Sequence, residues 1–111
     1  MTSYFNFKEE CINKYDESIY DKFIESFDTL PLGCILNNKF LAIHAGISPE
    51  LQTVNIITQL NDLKNINRFM EPPKSGLLCD LLWADPVEND TGLLEKDFIP
   101  NETRGCSYIY G

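Results

Sequence analysis

Gly33-Cys34-Ile35-Leu36-Asn37-Asn38-Lys39-Phe40-Leu41-Ala42-Ile43-His44-Ala45-Gly46-Ile47-Ser48-Pro49-Glu50 reads as two short apolar strands around a polar turn, with the chain's only histidine just past the second strand. The turn residues suit a hairpin, because asparagine tolerates the positive φ that a tight reversal demands. His44 then stands at a strand end before two small residues. That placement can aim an imidazole into a site while the backbone lets a ligand approach closely. A lone histidine is more often a hydrogen-bonded structural residue, so its meaning depends on what accompanies it.

Upstream, Phe7, Cys11, Ile12 and Tyr15 share one helical face, and Ile19, Tyr20, Phe23, Ile24 and Phe27 repeat the spacing after Asp16-Glu17-Ser18. This predicts helices at roughly 7–15 and 18–29. Asp16 or Ser18 is placed to cap the second helix, and Pro31 lies beyond its end. The aromatic stripes read as packing surface, with Phe23 and Phe27 expected among the most buried side chains.

Downstream, Val54, Ile57 and Leu60 predict a short helix from Thr53 to about Leu63, with Thr53 as its cap. From Asn65 to Arg104 the pattern turns irregular, punctuated by Pro72-Pro73, Gly76, Pro86, Gly92 and Pro100. Irregular runs beyond roughly 12–15 residues serve function or belong to something larger. The chain ends in a strand-like run, Ser107-Tyr108-Ile109-Tyr110-Gly111, that is expected to lack cover. Helices and hairpin together give the α+β class.

The 111 residues have the length of one domain, and 43% hydrophobic content supports a packed core. Nine Lys and Arg against 17 Asp and Glu leave a net charge of -8, a field that repels nucleic acid and anionic membrane. Attraction for a phosphate would have to be local. No apolar run approaches the ~20 residues of a membrane span. Cys11, Cys34, Cys79 and Cys106 form no CxxC pair and have apolar neighbours, which suits small buried hydrophobes in a reducing, cytoplasmic setting.

Arg104 precedes Gly105, so a planar five-donor fork sits beside a flexible residue, an arrangement suited to gripping phosphate through two parallel hydrogen bonds. From spacing alone the ordinary surface arginine is the favoured reading. Asp85 lies between Trp83 and Pro86 in an expected turn, where its carboxylate either orients a ligand residue or caps the turn. Pairing His44 with Cys34, Cys79 or Cys106 would describe a cysteine nucleophile, Cys106 being the strongest of these rivals, but no local signature supports it.

Read together, several segments resemble the calcineurin-type catalytic subunits of the metal-dependent serine/threonine phosphoprotein phosphatases. The carriers are Tyr4-Phe5-Asn6-Phe7-Lys8-Glu9-Glu10-Cys11, Phe40 to Glu50, and Arg68-Phe69-Met70-Glu71-Pro72-Pro73, followed by Cys79-Asp80-Leu81-Leu82-Trp83-Ala84-Asp85-Pro86 and Arg104-Gly105-Cys106-Ser107-Tyr108. The resemblance covers essentially the whole chain. It implies a partial segment of a metallophosphatase-type β-sandwich flanked by helices, with residues 1–111 an incomplete segment of the catalytic domain.

By that resemblance His44 matches a ligand to a dinuclear metal centre of Fe with Zn or Mn. Arg104 matches a substrate-phosphate arginine, Asp85 a catalytic acidic residue lining the site, and Trp83 a wall of the substrate groove. Two ions held ~3.5–4 Å apart activate water for in-line attack on phosphoserine or phosphothreonine esters of a phosphoprotein.

Family members also carry Gly-Asp-x-His-Gly, Gly-Asp-x-Val-Asp-Arg-Gly and Gly-Asn-His-Glu segments that these residues lack, and Ala45 replaces the family's usual glycine. The chain by itself is therefore expected to be inactive and to hold metal weakly. The resemblance also implies a regulatory subunit and calmodulin, bound through segments outside these residues. The rival expectation is a non-catalytic interaction module derived from the same fold.

Overall fold

Asp16 divides the first thirty residues because an aspartate can satisfy free N–H groups at a helix start better than it can continue a helix. In the computed structural model, which describes residues 1–52, 63–88 and 98–111, α1 spans Phe7–Lys14 and α2 spans Glu17–Asp28. Asp16 is extended, and its Oδ1 accepts the Ile19 N–H at 3.1 Å. The apolar stripes meet as expected: the Phe7 ring lies 5.7 Å from both Phe23 and Phe27 and 6.3 Å from Tyr20. Arg68 Nε donates to the Asp28 carbonyl at 3.3 Å, partnering one of the acceptors left open at the end of α2.

Burial of these rings differs from the sequence-based expectation, since Phe23 and Phe27 remain 39% and 42% exposed. Met1–Leu30 with Arg68–Met70 forms a unit of its own. Within it the two helices make a single layer, so each ring finds partners on one side only. Full burial of an aromatic requires a second layer.

The second unit comprises Pro31–Asn67 and Glu71–Gly111. Strands β1 (Gly33–Leu36) and β2 (Phe40–Ile43) form the predicted antiparallel hairpin, with Leu36 opposite Phe40 and Gly33 opposite Ile43. Asn37 and Asn38 take φ of 51° and 52°, and Lys39 N–H returns to the Leu36 carbonyl at 3.0 Å. A two-stranded hairpin covers neither of its faces fully. Cys34 on β1 is consequently exposed, a correction to its reading as a buried hydrophobe, whereas Cys11 and Cys79 are buried and Cys106 is half-buried.

A 3-10 helix, Pro49–Gln52, follows His44, and the helix expected from Thr53 lies outside the described residues apart from Leu63, which is buried. Leu77–Trp83 forms a further helix, α3, inside the stretch whose sequence pattern is irregular. Its seven residues are apolar except Asp80, too short and too uniformly buried to show a helical stripe. Gly76 precedes it without a side-chain cap. Leu81 of α3 packs with Leu51 and Leu63 into a core that Leu32, Ile43, Ile66 and Leu77 extend.

Strands β3 (Asp85–Pro86), β4 (Phe98–Pro100) and β5 (Tyr108–Tyr110) make a three-stranded sheet with β5 at its centre, parallel to β3 and antiparallel to β4. Two expectations change here. Asp85 lies on a strand opposite Ile109 rather than in a turn, because Val87 N–H also reaches back to the Tyr110 carbonyl at 2.9 Å. The final apolar run is flanked on both sides rather than uncovered. The architecture is α+β.

Candidate phosphate site

The connection between β4 and β5 is built around Asn101, a residue that is only 3% exposed. Its N–H donates to the Ser107 carbonyl at 3.0 Å, its carbonyl accepts from Gly105 N–H at 3.0 Å, and its Oδ1 accepts from Arg104 N–H at 3.1 Å. This closes the turn locally, with the asparagine side chain accepting from the N–H three residues on as a helix-capping residue does. Gly105 and Ser107 adopt φ of +68° and 59°. A Cβ at Gly105 would meet nothing within 4 Å, so its backbone conformation, not space, is what calls for glycine there.

The closed turn delivers Arg104 to Asp85 on β3. Arg104 Nε donates to Asp85 Oδ2 at 2.8 Å and Nη2 to Oδ1 at 3.1 Å, a side-on bidentate pair. Asn101 Nδ2 donates to the same Oδ2 at 2.9 Å, and the guanidinium lies 5.8 Å from the centre of the Trp83 ring. The Arg104 hydrogen bonds hold the Asp85 carboxyl below the usual carboxylate range against the opposing effect of desolvation, with Asn101 adding to the lowering. The same pair raises the Arg104 pKa further. Asp85 therefore stays ionised with both oxygens engaged. Side-on pairing uses two of the five guanidinium donors and leaves the far edge of the fork for another oxyanion.

His44 is exposed just beyond β2. The loop it opens is tied to α3 by Ala45 N–H, which donates to the Leu81 carbonyl at 3.1 Å. Ala45 is not among the residues with positive φ, so alanine fits there without strain. Gly46 is different: a Cβ there would stand 2.1 Å from Tyr110 Cε1 and 2.8 Å from the Ala84 Cβ. The close approach of β5 to this loop requires glycine at position 46.

The four residues singled out by sequence thus resolve into a joined group of Trp83, Asp85 and Arg104, and an exposed His44 on a loop fastened to the same helix that carries Trp83. Asn101 escapes a reading of the sequence; an Asn three residues before an Arg and directly after a proline is the signal that points to it. Among the described residues no group of three or more His, Cys, Asp or Glu side chains converges. A single exposed imidazole does not make a dinuclear centre, so the described residues do not by themselves fit one. Burial, reinforced by neighbouring Cys106, pushes the Cys79 thiol up to about 11. A thiol that stays protonated near neutrality is a poor nucleophile.

The sequence pattern of the calcineurin-like phosphoesterases matches residues 6–111. The chain belongs to the calcineurin-like phosphoesterase family. It is 42% identical over 135 residues to serine/threonine-protein phosphatase 2B catalytic subunit A2 of Saccharomyces cerevisiae, a match covering 99% of this chain and 21% of that protein. It is 46% identical over 118 residues to subunit A1 of the same yeast, covering 99% and 20% respectively. A solved structure of a protein serine/threonine phosphatase from Saccharomyces cerevisiae, with similarity to human phosphatase PP5, superposes with a TM-score of 0.67 at 37% identity, over 95% of this chain and 29% of that one. The chain spans about a fifth of the length of the curated relatives it matches. Membership in this metallophosphatase family carries the resemblance read from the motifs and implies metal cofactors.

Proposed function

We propose that residues 1–111 form an incomplete segment of a serine/threonine phosphatase catalytic domain, supplying the arginine that grips the substrate phosphate of a phosphoserine or phosphothreonine ester. The observation that carries this reading is the side-on Asp85–Arg104 pair, backed by Asn101, which orients the guanidinium and leaves its far edge for a phosphoryl group. Asp85 serves as the orienting carboxylate, since both of its oxygens are engaged and its depressed pKa suits it poorly to donate a proton near neutral pH. Trp83, whose ring centre lies 5.8 Å from the Arg104 guanidinium, is proposed as a wall of the substrate groove. His44 is proposed as one ligand of a metal centre of Fe with Zn or Mn, whose remaining ligands do not come from the described residues.

By itself the chain is inactive in this reading. A phosphoprotein is the substrate class, and binding of a regulatory subunit and calmodulin would fall to segments outside these residues. No helix among the described residues is long and apolar enough to cross a membrane, and the four free thiols support a cytoplasmic setting. The test replaces the matching segment of yeast phosphatase 2B catalytic subunit A2 with residues 1–111 and assays a phosphoserine peptide. An active chimera whose kcat falls at least tenfold on Arg104→Lys, with its fold intact, is expected. Lysine keeps the charge but loses the fork. Unchanged kinetics in Arg104→Lys would make Arg104 an ordinary surface residue.

A further inference from the structure

Four polar or charged residues are buried among those described: Ser48, Asp80, Asn101 and Ser107. They form one connected hydrogen-bonded path. Ser48 Oγ donates to Asp80 Oδ2 at 2.6 Å, and Ser107 Oγ donates to Asp80 Oδ1 at 2.8 Å. The Ser107 carbonyl accepts Asn101 N–H at 3.0 Å, and Asn101 Nδ2 reaches the Asp85 oxygen that also holds Arg104 Nε. One end of the path is therefore the loop that begins at His44, and the other is the guanidinium of Arg104.

We propose that Asp80 is a positioning residue for the phosphate site, a carboxylate on α3 that sets the His44 loop and the Arg104 turn in register by taking one serine hydroxyl on each oxygen. The inference rests on the phosphatase reading for its functional meaning. Asp80 is 1% exposed, and a carboxylate is a poor choice for filling space, because its desolvation must be offset by well-placed donors. Both donors come from loops that carry proposed site residues. Ser48 also fixes its own loop, since its Oγ accepts from Glu50 N–H at 3.2 Å and its carbonyl from Leu51 N–H at 3.0 Å. Ser107 holds a left-handed φ of 59°, a conformation that a non-glycine residue keeps only when its surroundings over-determine it. The bond to Asp80 is one such restraint. A path satisfied at every buried member specifies a single arrangement, and losing one member leaves the others unpaired.

The test uses the 111-residue chain labelled with 15N and reads the solvent exchange of the Arg104 Nε–H, the proton held by Asp85. Asp80→Leu and Ser107→Ala are expected to speed that exchange at least tenfold. Asp80→Asn, which serine hydroxyls can still engage by rotating, should stay within threefold of the parent. Ser48→Ala and Ser107→Ala should be non-additive when combined, because they share one carboxylate. Should Asp80→Leu fail to fold, the two serine variants decide. Unchanged Arg104 exchange in folded Asp80→Leu, or in both serine variants, overturns the proposal. In the yeast chimera, Asp80→Leu should lower kcat at least tenfold while KM stays within threefold, with Asp80→Asn restoring the rate. A full-rate Asp80→Leu chimera would refute the positioning role alone. An inactive parent chimera with the exchange coupling intact would refute the phosphatase reading alone.

Discussion

Replacing Gly46 with alanine puts a methyl carbon 2.1 Å from Tyr110 Cε1, 2.9 Å from Cδ1 and 2.8 Å from the Ala84 Cβ. Carbon atoms rest at about 3.5–4.0 Å, so the ring or the loop has to move by roughly 1.5 Å. Neither moves freely. Tyr110 sits on the central strand β5, paired on both sides, and the loop is fastened to α3 through Ala45. Overpacking of this kind costs about 1–3 kcal/mol, and a clash along one whole edge of a ring, at Cε1 and Cδ1, with Ala84 close on another side belongs in the upper half of that range. At about 4–8 °C per kcal/mol for a domain near this size, Tm should fall by roughly 10–20 °C.

Urea unfolding followed by the fluorescence of Trp83, the chain's single tryptophan, measures the loss directly. The decisive comparison repeats Gly46→Ala in a Tyr110→Ala background, where the ring is gone and only the Ala84 contact remains. The glycine substitution should then cost less than about 1 kcal/mol, leaving a coupling energy of about 1–2 kcal/mol between the two positions. A wild-type midpoint for Gly46→Ala, or an undiminished cost without the ring, would refute the packing of β5 against the His44 loop.

Asp85 and Cys79 give predictions in pH. Because the folded pKa of Asp85 is lowered, its pair with Arg104 contributes above the unfolded value of about 3.9 and is lost as pH falls through the folded one. A carboxyl 13C titration should place the Asp85 midpoint below about 3.9, and a midpoint at or above it would contradict the bidentate geometry. Cys79 has the opposite sign: its raised pKa favours the folded chain below the unfolded value of about 8.5, an advantage lost as pH climbs towards about 11. Iodoacetamide at pH 8 should modify exposed Cys34 and spare Cys79; equal rates for the two would show that Cys79 is not buried.

Elements that depend on neighbours along the chain are legible in the amino-acid sequence itself. The helices begin and end within about two residues of their stripes, Asp16 caps where its side chain predicts, and Asn37-Asn38 turn the hairpin through positive φ. The motif residues His44, Trp83, Asp85 and Arg104 are also visible there, because their residue types suit phosphate chemistry whatever surrounds them. Only the tertiary structure decides how they meet. Helix α3 exists because its apolar residues are buried in a core assembled from distant segments. Phe23, Phe27 and Cys34 are more exposed than their apolar character suggests because burial depends on what packs opposite. Asp85 meets Arg104 across 19 residues, and Asp80 reaches Ser107 across 27 and Ser48 across 32. Local periodicity carries no information about separations of that length, which follow from sheet register and from where a buried carboxylate finds its donors.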